Sequence, residues 1–189
     1  MRFLPTPLPG AFEIEIDRKE DARGLFARLW CREEFAAHGI EIDMVQASVS
    51  HNAAAGTVRG MHLQLPPSRE GKLVRCERGR IYDVIIDLRP GAASFAQHHA
   101  VTLDAERRNA LYVPPGVAHG FQTLTDGCDV QYMMSDFYRP ELQAGVRWND
   151  AAFGIAWPIA AATVLPRDAA YPDFDAAAFA AAHARRAAA

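Results

Sequence analysis

The sequence predicts an all-β fold, a sandwich or barrel of the jelly-roll kind with short peripheral helices. Two observations carry this expectation. From about residue 41, short apolar or alternating runs follow one another: EIDMVQASVS, TVRGMHLQ, KLVRCERG, RIYDVIIDLR, SFAQHHAVTL, NALYV, AHGFQTL and CDVQYMM. Gly, Pro, Asn or Asp punctuates them. The chain has 189 residues, enough for one well-buried core and too few for two ordinary domains with tails. Many short strands at such intervals bury their apolar faces by stacking two sheets.

The elements follow in order. FEIEID, residues 12–17, alternates as a half-buried strand does, and a polar turn is expected over 18–24. CREEFAAHG, residues 31–39, reads as a short helix ended by Gly39. After the strand-rich middle, residues 138–158 are rich in turn formers and aromatics and read as an ordered wrap with at most one helical turn. One domain is expected over 1–175. Residues 176–189 are alanine-rich, helical by propensity but almost without an apolar face, so a frayed helix or disorder without function is expected there.

Composition excludes several function classes. Lys and Arg number 20 against 23 Asp and Glu, a formal net charge of -3, so no broad positive field awaits nucleic acid. An anionic ligand would be small and held by a few local arginines. Cys31, Cys76 and Cys128 are odd in number and contain no C-x-x-C pair, which argues against a disulfide framework or structural zinc and for a reducing cytoplasm. No run approaches the roughly 20 apolar residues of a membrane span, and three prolines interrupt the opening MRFLPTPLPG before any signal-type core forms.

The chemistry-bearing residues cluster in RGMHLQLPPSREGKLVR, residues 59–75, and in LYVPPGVAHGFQTL, residues 111–124. His62 is the base candidate, because an imidazole pKa near 6.5 suits proton abstraction at neutral pH. A lone histidine is more often a core side chain held by a backbone carbonyl; Lys72 and His119 reverse those odds. Lys72 shares strand parity with Val74 and Cys76 and points inward, although a strand-end lysine taken alone reads as solvated. Tyr132 shares parity with Cys128, Val130 and Met134, so its ring is interior, in a structural or a catalytic role. Arg59 and His62 fall on opposite parities, and both serve one ligand only if Gly60 bends the strand or Arg59 sits at the barrel mouth. Arg23, in the turn DARGLF, reads by itself as a solvated charge.

Residues 10–172 resemble the dTDP-4-dehydrorhamnose 3,5-epimerase family of nucleotide-sugar enzymes. The matching blocks, in order, are DARGLF, GTVRGMHLQ, EGKLVRCERGRIYDVIIDLR, YVPPGVAHGFQTL, GVRWNDAAFGIAWP and LPRDA. The resemblance implies a cupin-like jelly roll that works without metal or other cofactor, as a homodimer exchanging N-terminal strands. It implies that His62 is the general base, that Asp168 orients it, that Tyr132 is the proton donor on the other face of the sugar, and that Lys72 lies near the keto oxygen. It further implies substrate contacts for Arg23, Arg59, His119, Gln46, Ser48, Gln143 and Arg167. The reaction would be inversion at C3 and C5 of a nucleoside-diphosphate 4-keto-6-deoxyhexose, in the first place the dTDP sugar of the rhamnose route.

The chain departs from the family pattern at named positions. Arg28 and Gln143 stand where many members carry glutamate, and Arg167 stands where lysine is usual. A 3-only or 5-only epimerase, or one using a CDP or GDP sugar, would keep His62, Tyr132 and Lys72. A non-catalytic sugar-binding cupin would keep the arginines but have no use for a His62 and Asp168 pair. A metal reading of His62, Gln64, Glu70 and His119 resembles the wider cupin pattern, but Gln64 replaces the second histidine of His-x-His and leaves too few strong donors.

Overall fold

The computed structural model describes residues 1–161 and 163–188. Strands β1 (Arg2–Pro5) and β2 (Phe12–Glu15) open the chain, followed by a hairpin of β3 (Lys19–Asp21) and β4 (Gly24–Phe26) where only a polar turn was expected. The expected short helix is α1 (Arg32–Ala36). The middle of the chain supplies β5 (Gln46–Asn52), β6 (Thr57–Gln64), β7 (Lys72–Arg78), β8 (Arg80–Asp87), β9 (His98–Asp104), β10 (Ala110–Val113), β11 (Val117–Thr123) and β12 (Cys128–Met134). These match the eight runs read from the sequence. The wrap contains a 3-10 turn (Pro140–Leu142) and β13 (Gln143–Gly145); β14 (Thr163–Val164), α2 (Pro166–Ala169) and α3 (Ala176–Ala187) follow.

Two sheets face each other as a jelly roll. One has the order β1-β2-β10-β7-β12-β5; the other has β13-β6-β11-β8-β9, with β14 adding parallel to β6. Between them lies a core that includes Val74, Cys76, Ile81, Ile85, Leu111, Phe121 and Val130. The outer face of the first sheet is covered by α1 and the segment after it, through Phe35 and Ile40. The outer face of the second is covered by the wrap through Val146 and Phe153, with Phe174 from beyond the wrap packed on Phe153. Strands covered on both faces need not alternate, and β11 is buried at every position.

One irregularity positions the site. Along β6 and β11, His62 pairs with His119 and Arg59 pairs with Phe121, so three steps on β6 match two on β11. The extra residue falls around Gly60, whose φ of +131° disfavours any side chain, and whose added Cβ would meet the Gly120 Cα at 2.5 Å. The bulge cancels the opposite parity of Arg59 and His62 and turns both toward the cavity between the sheets.

At the far end, Asp175 caps α3 by accepting from the backbone N–H of Ala177 and Ala178, each at 2.9 Å. Phe179 packs against Phe174, giving the alanine-rich helix an apolar contact with the wrap. Residue 189 of that segment lies outside the described residues. No helix among the described residues is long and apolar enough to cross a membrane.

Candidate active site

The open end of the barrel holds a cavity of two lobes that share His62, Lys72 and Tyr132. The inner lobe, about 300 Å³, is walled by Ser50, Arg59, His119, Leu165, Arg167 and Asp168 as well. The outer lobe, about 400 Å³, adds Gln46, Ser48, Gln64, Glu70, Met134, Tyr138 and Gln143. The two lobes therefore meet at the three groups on which the sequence places the proton chemistry.

His62 projects from β6 and its Nε2 lies 2.8 Å from Asp168 Oδ1. Asp168 sits on α2, is 2% exposed, and accepts through Oδ2 from the Gly60 N–H at 3.3 Å. The Leu-Pro start of α2 delivers this carboxylate: Pro166 fills the first helical position, where a missing N–H costs nothing. With Nε2–H donated to Asp168, Nδ1 remains the acceptor. Burial holds the His62 pKa below the ordinary imidazole value, with the Asp168 hydrogen bond and charge opposing it and Lys72 and Arg167 adding to the depression. His62 is thus neutral at pH 7 and free to take a proton.

Tyr132 enters from β12, on the facing sheet. Burial raises its phenol pKa far above the usual value, with Asp83 adding to the rise and Arg59 opposing it, so the hydroxyl keeps its proton. Lys72, at the start of β7, reaches Glu70 Oε2 at 3.1 Å and the His62 carbonyl at 3.4 Å. Arg59 is steadied by Asn52, accepting from its Nε at 2.7 Å.

His119 is the cross-strand partner of His62 and has a carboxylate of its own. Its Nε2 lies 2.8 Å from Asp83 Oδ1, and the two side chains are 4% and 0% exposed. Its ring meets Tyr132 edge-on at 5.8 Å. Desolvation pushes the Asp83 pKa up, opposed by His119, and Asp83 Oδ2 has no hydrogen-bond partner.

Of the residues read from the sequence, His62, Tyr132, Asp168, Lys72, Arg59, His119, Gln46, Ser48, Gln143 and Arg167 line the two lobes. Arg23 does not. It stands on the β3–β4 turn, its side chain 88% exposed and, among the described residues, paired only with Asp21 at 2.6 Å. Arg28 likewise lies outside, bound to Glu34 at 2.9 Å. Sequence reasoning passed over Ser50, Leu165 and Tyr138 as wall residues and Asp83 as the partner of His119. Ser50 shares parity with Ser48, already singled out, and Asp83 shares parity with the apolar Ile81 and Ile85 of its own strand, which is the signal that finds them. Tyr138, whose hydroxyl donates to Gln143 Oε1 at 2.7 Å, lies in the irregular wrap, where parity gives no guide.

The donors of the cupin metal reading are each committed elsewhere: His62 to Asp168, His119 to Asp83, Glu70 to Lys72. Among the described residues no three His, Cys, Asp or Glu side chains converge as a metal ion requires. These residues do not fit a metal, and no step is derived through one.

A jelly-roll barrel with a carboxylate-held histidine facing a protonated tyrosine across one cavity defines an isomerase of the cupin-like epimerase class. The profile of dTDP-4-dehydrorhamnose 3,5-epimerase matches residues 5–176. The dTDP-4-dehydrorhamnose 3,5-epimerase of Mycobacterium tuberculosis is 38% identical over 183 residues, spanning 93% of this chain and 88% of the relative. The crystal structure of the Bacillus anthracis enzyme with TDP and PPi bound superposes with a TM-score of 0.88 at 34% identity, covering 92% of this chain and 99% of that one. The Legionella pneumophila enzyme in complex with dTDP-4-keto-L-rhamnose gives 0.84 at 31% identity, with 90% of each chain covered. The chain belongs to the dTDP-4-dehydrorhamnose 3,5-epimerase family.

Proposed function

We propose that this enzyme inverts C3 and C5 of dTDP-4-dehydro-6-deoxyglucose to give dTDP-4-dehydrorhamnose, with His62 as base, Tyr132 as acid and Lys72 beside the C4 oxygen. One observation carries the reading: base and acid project from opposite sheets into one cavity, His62 from β6 and Tyr132 from β12. Inversion requires a proton to leave from one face of a carbon and return to the other.

A C–H next to a ketone is a weak acid, and its removal leaves an enolate with most of the charge on oxygen. The Lys72 ammonium, held where water is largely excluded, stabilises that charge as it develops. His62 Nδ1 takes the proton, and the buried Asp168 carboxylate stabilises the resulting imidazolium and fixes the ring. Tyr132 then protonates the opposite face. Arg59 and Arg167 supply the positive charge for the diphosphate, and the amides and hydroxyls of Gln46, Ser48 and Gln143 suit the neutral nucleoside. The relatives named for this reaction, and the solved complexes with TDP and with dTDP-4-keto-L-rhamnose, support this choice of ligand.

The same proposal includes a homodimer that exchanges N-terminal strands. The β3–β4 hairpin is exposed throughout, with Phe26 at 72%, and β5 is an edge strand with Val49 at 68%. A second copy can use both surfaces, and such an exchange would bring its hairpin and Arg23 to this cavity. Sedimentation should give twice the chain mass of 20.8 kDa, and a monomer would remove this part of the proposal. A cytoplasmic setting is proposed as well, supported by three free thiols, Cys31, Cys76 and Cys128.

The experiment is incubation with dTDP-4-dehydro-6-deoxyglucose in heavy water. Deuterium at C3 and C5 with inverted product is expected. Label at one centre only would leave a mono-epimerase, and no label would favour a sugar-binding protein.

A further inference from the structure

The Lys72 ammonium is held at two points. It forms an ion pair with Glu70 Oε2 at 3.1 Å and donates a hydrogen bond to the His62 carbonyl at 3.4 Å. It has no other protein partner among the described residues, and Lys72 lies at the junction of both lobes. A lysine held at two points presents its remaining donors in a narrow range of directions. An untethered ammonium on a four-carbon stem does not.

Glu70 is built to hold that tether. Its side chain is 8% exposed and that of Lys72 14%, so the pair lies in the wall rather than in bulk solvent. Its backbone N–H donates to Ser68 Oγ at 3.3 Å, and Ser68 Oγ in turn donates to Asp136 at 2.7 Å. The next residue, Gly71, is fixed to Ser135 through both its N–H, at 2.7 Å to Oγ, and its carbonyl, at 3.0 Å from the Ser135 N–H. Glu70 therefore stands on an anchored loop, and among the described residues its carboxylate pairs with no other cation.

We propose that Glu70 is the positioning residue of this active site: it fixes the Lys72 ammonium so that an uncommitted N–H faces the carbon acid's oxygen between His62 and Tyr132. The inference rests on the epimerase reading and adds to it a residue that touches Lys72 rather than the substrate. A second consequence follows from charge. Lys72 lowers the His62 pKa, and the Glu70 carboxylate paired with that ammonium at 3.1 Å offsets part of its charge. The other charged or titratable groups sharing the inner lobe with His62 and Lys72, namely Arg59, His119, Arg167, Asp168 and Tyr132, are unchanged by a substitution at residue 70.

The test compares wild type, Glu70→Gln and Glu70→Asp in deuterium wash-in and in steady-state kinetics across pH. Glu70→Gln keeps the shape and removes the charge. Its kcat should fall about tenfold, less than the hundredfold or more expected for losing an oxyanion donor outright, with KM changed by less than about twofold. Wash-in should fall in parallel, because enolate formation is the step affected. The acid limb of kcat/KM should move to lower pH. Glu70→Asp keeps the charge and should leave that limb near the wild-type position while kcat is only partly restored. A Glu70→Gln enzyme with wild-type kcat and an unmoved limb overturns the inference, as does a kcat loss matched by a lowered melting temperature with the limb unmoved. Wild-type wash-in separates the two claims: if the wild type exchanges and Glu70→Gln matches it, only the role of Glu70 fails.

Discussion

Two histidine–aspartate pairs stand side by side on β6 and β11, and their difference shows how burial assigns work to identical groups. His62 with Asp168 and His119 with Asp83 have the same 2.8 Å contact through Nε2. The His62 side chain is 26% exposed, at the cavity wall, whereas that of His119 is 4% exposed and its aspartate is fully buried. A base must reach its carbon and must recover its proton balance from solvent or product. On the proposed reading the more exposed first pair supplies the base, while the second, at the wall of the inner lobe, packs edge-on against Tyr132.

The largest effect that would break this comparison is His62→Ala, which should lower wash-in at both C3 and C5 by about two to four orders of magnitude. The proposal has one base serve whichever centre is presented. A folded His62→Ala protein with unchanged exchange would move the base elsewhere, His119 being the first alternative.

Exchanging the two aspartates for asparagine sharpens it further. Asp168→Asn should lower kcat by less than His62→Ala does, with little change in melting temperature, because the imidazolium loses its counter-charge. The acid limb of kcat/KM should shift as well. His62 is held below the ordinary value near 6.5, so activity is present above its pKa and lost as pH falls through it; without the raising influence of Asp168 the midpoint moves lower still. Asp83→Asn should do the reverse: a stability change of about 1–3 kcal/mol from a disturbed buried pair, read from denaturant unfolding, with the acid limb in place. Equal effects of the two substitutions on rate and stability would show that the pairs are not differentiated.

Much of this arrangement is legible in the sequence because the strands obey a period of two. Lys72 with Val74 and Cys76, and Tyr132 with Val130, point inward as their parity requires. Strict alternation separates Arg59 from His62, and the bulge at Gly60, the bend on which their sharing one ligand depends, brings them together. The sequence offers only a glycine there, and the reason for it lies 60 residues away, in the close approach of Gly120. Arg23 illustrates a different limit. Its turn is readable, but it stands away from the cavity of its own chain; only the proposed exchange of N-terminal strands would bring it to a cavity, and pattern within one chain carries no information about a second copy. The α2 carboxylate became visible only through LPRDA and its resemblance, because a two-residue strand and a four-residue helix leave no periodicity to read.

The central claim is that His62 and Tyr132 act on opposite faces of one carbon, and Tyr132→Phe in heavy water tests it most directly. Phenylalanine keeps the ring contact with His119, so the fold should persist, as circular dichroism would verify. His62 can still make the enolate and return a proton from its own side. Deuterium should therefore enter the recovered starting sugar while inverted product is nearly absent. Full epimerisation at both centres by the folded variant would contradict the account, because another acid would then be protonating the second face.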